Sequence, residues 1–271
     1  MRRVCLLILA LLLPAVAGAQ DYDLLDSDAP EYDYDEGEPV ALLRSLRLVD
    51  SPTAVVLRHA EYRITGRIMA NGSVIAMTEV GIKDRFSVGV AWGMQGLLGR
   101  GDVEVNDNAG VSVRLLLVEE LDWPSLVIGF DSQGYGPWYE DQERYERKSK
   151  GFFACLTRNW YGPMGSNVAT TGGMNYSFED KDDSSIDAFV GGELEFGGTF
   201  AFVGEFSLGL NDNKKETPAV FGQGSGWLDA GLRWTIRDTI QFKFFLRDLM
   251  GNYRGYGPVD RQLELSYQGN F

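Results

Sequence analysis

The chain has 271 residues, room for one large domain or two small ones, and its 44% hydrophobic and 24% charged residues exclude wholesale disorder. A formal net charge of -14 argues against a surface built to neutralise nucleic-acid phosphates, so no nucleic-acid partner is expected. Cys5, Cys155 and one histidine leave no basis for a disulfide framework or a Cys/His metal centre.

The first element is a leader. Residues 1–19 carry Arg2 and Arg3, an apolar run from Val4 to Leu13, Pro14, and Ala17-Gly18-Ala19 in an A-x-A arrangement. That is the pattern of a secretory signal peptide cut after Ala19, with Cys5 too early to be a lipoprotein acceptor. The stretch DYDLLDSDAPEYDYDEGEPV follows, acids and tyrosines without a basic residue. It cannot bury enough apolar area to offset its ordering entropy, which predicts a disordered tail over residues 20–40. An acidic, disordered periplasmic segment is expected over 20–50 and a barrel over 51–271.

From about Val55 to the last residue, hydrophobicity repeats every second position and no helical repeat is sustained. The clearest runs are FSVGVAW (86–92), VSVRLLL (111–117), GWLDAGLRWTI (226–236) and IQFKFFL (240–246). Strands are predicted near 54–68, 73–82, 86–93, 111–118, 125–130, 151–160, 166–176, 186–194, 200–208, 226–236, 240–249 and 262–271. Asn71-Gly72 marks a tight hairpin on what would be the outer side. Short links at 83–85, 119–124, 161–165, 195–199 and 237–239 alternate with long polar links at 94–110, 131–150, 177–185, 209–226 and 250–261. A sandwich also alternates in hydrophobicity, so the connection lengths carry the argument. They predict an all-β fold: a closed antiparallel transmembrane β-barrel of about 12 strands, with short periplasmic turns and longer extracellular loops. An even strand number puts both termini in the periplasm of a barrel in the bacterial outer membrane.

The last strand, RQLELSYQGNF, places Leu263, Leu265, Tyr267, Gly269 and Phe271 on one face and stops on an aromatic. It looks like the targeting strand recognised by the barrel-assembly machinery of Gram-negative bacteria. That machinery and outer-membrane lipid are the expected partners. Trp92, Trp123, Trp160, Trp234, Tyr62 and Tyr267 fall near strand ends, as aromatic girdles would.

The opposite faces send Glu61, Arg63, Glu79, Arg114, Arg158, Glu193, Glu205, Asp229, Arg233, Lys243, Arg247 and Glu264 toward the lumen. The lumen is then either a water-filled pore lined by these groups or a paired charge network that fills it. Barrel hydrolases need a well-placed imidazole. His59 shares a side with Glu61 but has no serine motif beside it, which favours a structural role. No catalytic residue, cofactor or metal ligand is assigned.

Three segments carry a family resemblance. They are ANGSVIAMTEVGIKDRFSVGVAWGMQGLLGRG with Gly81, Asp84 and Arg85 at a G-x-x-D-R turn, GVSVRLLLVEELDWPSLVIGFDSQGYG with Glu119 to Pro124 and Asp131 to Gly136, and RKSKGFFACLTRNW with Lys150-Gly151-Phe152. The chain resembles bacterial outer-membrane barrels of the YjbH-like kind over about residues 50–271. The resemblance implies a link to exopolysaccharide production and export. Asp131, Gln133 and Tyr135 are its most recognisable polar group. Two functions stand open: a small channel or secretion component passing a small solute or polysaccharide, and a closed structural or assembly barrel acting through its loops or tail. An outer-membrane hydrolase ranks third.

Overall fold

The computed structural model describes residues 45–99, 103–106, 108–161, 166–213, 221–253 and 259–271; the expected signal peptide and residues 20–44 of the acidic segment lie outside them. The wall is made of β1 (Glu61–Ile68), β2 (Val74–Lys83), β3 (Phe86–Gln95), β5 (Gly110–Val118), β6 (Ser125–Asp131), β9 (Gly151–Tyr161), β10 (Ser166–Tyr176), β11 (Ile186–Phe196), β12 (Phe200–Ser207), β13 (Trp227–Ile236), β14 (Ile240–Arg247) and β15 (Asp260–Asn270). Of three short strands, β4 (Glu104–Val105) pairs with the end of β3, and β7 (Tyr135–Tyr139) and β8 (Arg144–Arg147) form a separate hairpin.

Each wall strand adjoins its neighbour in chain order, and β1 pairs with both β2 and β15, Tyr62 lying opposite Val80 and Gly269. That last pairing closes the sheet. The fold is a closed antiparallel barrel of 12 strands with loops of varying length, and no wall strand is left with an unpaired edge.

The alternation in sequence becomes an inside-out distribution of polarity. Along β14, Gln241, Lys243 and Arg247 are buried, while Phe244 on the opposite face is 43% exposed. Phe200, Phe202, Leu232, Trp234, Leu263 and Leu265 are likewise exposed. A water-soluble domain buries such residues and exposes its charges; an exposed apolar wall around a polar interior suits hydrocarbon outside.

The ends differ as the connection lengths predict. At one, Arg237 and Asp238 bend β13 into β14 with positive φ at both positions (51° and 56°), the conformation two-residue hairpins favour because its twist matches the strands. At the other end, Gly72 (φ 79°) closes the β1–β2 hairpin, with Ser73 N donating to Asn71 Oδ1 at 3.0 Å. The longer links, such as 132–150, leave from that same end.

One expected boundary is corrected. The first strand starts at Glu61, not near residue 54. Residues 45–58 instead form a finger inside the barrel, with Leu48, Val49, Asp50, Ser51 and Thr53 all at most 2% exposed. Residues 45–50, expected to be part of the disordered segment, are thus folded, and residues 51–60 are not part of the wall.

Candidate functional site

The finger is folded on itself before it meets the wall. Leu48 N donates to Ser51 O (2.9 Å) and Thr53 N to Leu46 O (3.1 Å), while Arg47 and Pro52 form a bridge. This tight turn aims three successive N–H groups at one carboxylate, Glu205 of β12. Val49, Asp50 and Ser51 donate to its Oε2 at 3.0, 3.1 and 2.9 Å. Successive backbone N–H groups form an anion-binding concavity, and Glu205 is the anion that fills it.

At the tip, the Asp50 carboxylate is the meeting point of three guanidiniums from three elements. Arg67 of β1 lies 2.8 Å away, Arg147 of β8 at 3.0 Å, and Arg247 of β14 also donates to it. Burial alone would raise the Asp50 carboxyl, but Arg247, Arg147 and Arg67 outweigh it and hold the group well below the usual carboxylate range. Arg147 also reaches Asp229 of β13 at 2.6 Å. Asp50, Glu205 and Asp229 therefore gather three carboxylates within 4.8 Å, a grouping that suits a cation, and the Arg147 guanidinium supplies the positive charge there.

Further down, Arg47 clamps the finger to two wall acids, Asp131 at 2.8 Å and Glu79 at 3.2 Å. Lys243 Nζ donates to Arg47 O at 3.1 Å, and Ala54 N donates to Thr157 Oγ1 at 2.8 Å. Apolar contact completes the seat: Leu48 and Val49 pack with Val203 and Phe245, and Ala54 with Val127, Phe153, Cys155 and Phe189. Gly191 makes room, since a Cβ there would come within 2.7 Å of Leu48.

A second insert lies at the long-loop end. The β7–β8 hairpin, Tyr135 opposite Arg147, lays the Tyr135 ring 4.5 Å from the Arg67 guanidinium carbon and 5.2 Å from that of Arg247. Its far side is moored to the loops. Arg144 pairs with Asp212 at 2.9 Å and lies over Phe221, and Glu179 accepts from Tyr145 N and Ser149 N, both at 2.9 Å. Burial pushes the Glu179 and Glu146 carboxyls up. Beside the hairpin a cavity of about 320 Å³ opens at this end, lined in part by Asn71, Arg147, Trp227, Arg247 and Tyr253.

Of the residues expected in the lumen, Arg63, Glu79, Arg114, Glu193, Glu205, Asp229, Arg233, Lys243, Arg247 and Glu264 are buried inside the wall. Lys243 pairs with Glu264 (3.4 Å) and Arg247 with Asp260 (3.3 Å) across neighbouring strands, and Arg233 of β13 reaches past β12 to Glu193 of β11 (3.2 Å). Glu61 and Arg158 are corrected. Glu61, the first residue of β1, lies at the short-turn rim and accepts from Arg58 N at 2.8 Å, whereas Arg158 shares the outward face of β9 with exposed Phe152, Leu156 and Trp160 and donates to Leu121 O at 2.6 Å. His59 is exposed, its Nδ1 2.8 Å from Ile82 O. On the terminal strand Leu263, Leu265, Tyr267 and Phe271 are exposed, and Gly269 lies against the Tyr62 ring.

Sequence reasoning missed Arg47, Asp50, Arg67 and Arg147. Arg67 shares the parity of Arg63, so the strand pattern alone would have found it. The others lie off the wall, where parity says nothing. The turn residues Asp50-Ser51-Pro52 between LRLV and TAVVL were the available sign of the finger.

Two of the three quoted segments hold this insert. Asp84 Oδ1 accepts from His59 N at 3.0 Å and Gly81 O from Ala60 N at 3.1 Å, fixing the finger's root; a Cβ at Gly81 would lie 1.9 Å from Arg58 O. Asp131 binds Arg47, Tyr135 covers the guanidiniums at the tip, and Gln133 N donates to Asp131 Oδ1 at 3.0 Å.

No protein-family model matches the chain, and no curated protein matches it. Among solved structures it is similar to the NanC porin (9% identity, 78% of this chain and 99% of that one, TM-score 0.41) and the KdgM porin (9%, 78% and 99%, TM-score 0.43). It is also similar to the Acinetobacter baumannii outer membrane protein Omp33 (6%, 78% and 97%, TM-score 0.43).

Proposed function

We propose that the chain is a non-enzymatic barrel of the bacterial outer membrane whose lumen is closed at rest, so that small solutes pass only when an insert moves. The observation that carries this is Asp50: one carboxylate, on a segment that is not part of the wall, neutralises guanidiniums from β1, β8 and β14 inside the barrel, toward its long-loop end. A permanently open pore would leave such groups to water. The exposed apolar wall supports contact with outer-membrane lipid, and the face of Leu263, Leu265, Tyr267 and Phe271 supports recognition by the assembly machinery.

The YjbH-like resemblance supports an exopolysaccharide-associated role, with the polysaccharide or a precursor as the solute. A second reading, a closed structural barrel acting through its loops or N-terminal segment, is favoured by how completely the Asp50 carboxylate is paired.

The test is refolding into detergent, with heat-modifiable gel migration reporting barrel formation, followed by reconstitution into vesicles loaded with a small fluorescent solute. The expected result is a heat-modifiable barrel whose vesicles leak little faster than empty ones. Rapid leakage from the wild-type barrel would contradict a closed resting state.

A further inference from the structure

We infer that the finger is the gate: residues 45–58 withdraw as one unit toward the short-turn end, pivoting at their root, while the β7–β8 hairpin stays moored. This rests on the closed-barrel reading above and names its moving part.

Three observations point to the finger. First, its own backbone hydrogen bonds are internal. Among the described residues, those joining 46–54 to the wall run through side chains: Glu205, Thr157, Arg67, Arg114 and Lys243 on the wall side. It can leave without breaking a strand ladder, whereas no wall strand can. Second, the root is built as an elbow. Ala60 has a positive φ of 62°, and its N–H and carbonyl are held by Gly81 O and Phe271 N at 3.1 and 3.0 Å. The bend thus stays tied to the rim while the segment above it carries only side-chain contacts. Third, the seat is imperfectly satisfied. Ser45 Oγ, Ser51 Oγ and two nitrogens of Arg114 are buried without a hydrogen-bond partner among the described residues. Buried polar groups left unpaired oppose the docked state and gain partners when the seat is wetted.

The direction follows from the geometry. The root lies against the turn between β2 and β3, and the tip points to the other end, which the hairpin covers. Withdrawal is therefore back toward the root. The hairpin is different: Glu179, Asp212 and Asn211 hold it from the loops, independently of the finger.

Cys155 provides the reporter. It is buried beneath Ala54 and is the only cysteine beyond Cys5. In refolded protein, reaction of Cys155 with a water-soluble maleimide should be slow in the wild type and faster by about tenfold or more in Asp50→Ala, with heat-modifiable migration unchanged. Equal rates in two folded barrels would overturn the proposal, as would wild-type labelling at the rate of an unfolded thiol. If heat-modifiable migration is absent from the wild type, the barrel reading itself fails. If only Asp50→Ala does not refold, hydrogen exchange in the wild type decides. Amides of Val49, Asp50 and Ser51 exchanging well before those of β13 agree with a gate, and exchange only together with β13 overturns it.

Discussion

The finger and the hairpin both fill the lumen, yet they are held in opposite ways. The finger brings one acid, Asp50, into a ring of bases and offers backbone N–H groups to a wall acid, Glu205. The hairpin brings a base, Arg147, into wall and finger acids, and takes its remaining support from loop residues such as Asp212 and Glu179. The finger is held by the wall and by Arg147 of the hairpin, and the hairpin takes added support from the loops. Closure of this barrel therefore depends on the junction between Asp50 and Arg147, where the two meet at 3.0 Å.

The largest effect should come from breaking that junction. Asp50→Ala leaves three buried guanidiniums short of a partner, and removing one member of a buried charge group costs about 3–5 kcal/mol. Thermal or urea unfolding in detergent should show a loss of that order. Exchanging Glu205 for Gln strikes chiefly the finger, its contact with Arg147 of the hairpin being the longer one at 3.9 Å. Its three N–H donors then meet a neutral acceptor, and the finger should be held less tightly by about 1–2 kcal/mol, read as faster Cys155 labelling with loop amides unaffected. The matching change on the hairpin, Glu179→Gln, should cost less, under about 1 kcal/mol, because two backbone N–H groups rather than three meet the exchanged side chain and the loops moor the hairpin elsewhere. If the two exchanges weaken finger and hairpin equally, the distinction fails.

Acidity separates the inserts further. Asp50 has its folded value depressed, so its contribution is present above the ordinary Asp range, about 3.9, and is lost only as pH falls through a much lower value. Glu179 has its folded value raised, so the hairpin's mooring strengthens as pH falls toward the ordinary Glu range, about 4.3. Between pH 8 and 5, hydrogen exchange corrected for its intrinsic rate should slow at Tyr145 and Ser149, whose N–H groups donate to Glu179. The smallest effect is a control on a solvent-exposed rim pair. Arg85 and Glu119 pair at 3.0 Å at the rim, both more than half exposed, and Arg85→Ala should change stability by no more than about 1 kcal/mol.

The wall was legible from sequence because its physics is local. Period two sets which side chains face out, and connection length sets which end each loop occupies. Lys243, Arg247 and Glu264 could therefore be placed inside from parity alone. The inserts were not legible in the same way. Residues 54–60 continue an apolar pattern that reads as strand, and only the tertiary fit of Leu48 against Gly191 and of Ala54 over Cys155 turns them inward. Asp131 and Tyr135 stood out as a motif, but their partners, Arg47 and Arg67, lie 84 and 68 positions away in the chain, a separation no local pattern encodes. Charge sign misled as well. The acidic run before residue 45 drew Asp50 into an expected tail, whereas its surroundings are three arginines.

The most direct measurement is single-channel conductance in a planar bilayer, comparing the wild type with Asp50→Ala after both show heat-modifiable migration. A wild-type barrel that is silent for most of the recording, with discrete steps frequent in Asp50→Ala, is the predicted result. A wild type that conducts steadily, at the same level as the variant, would show that the finger does not close the lumen.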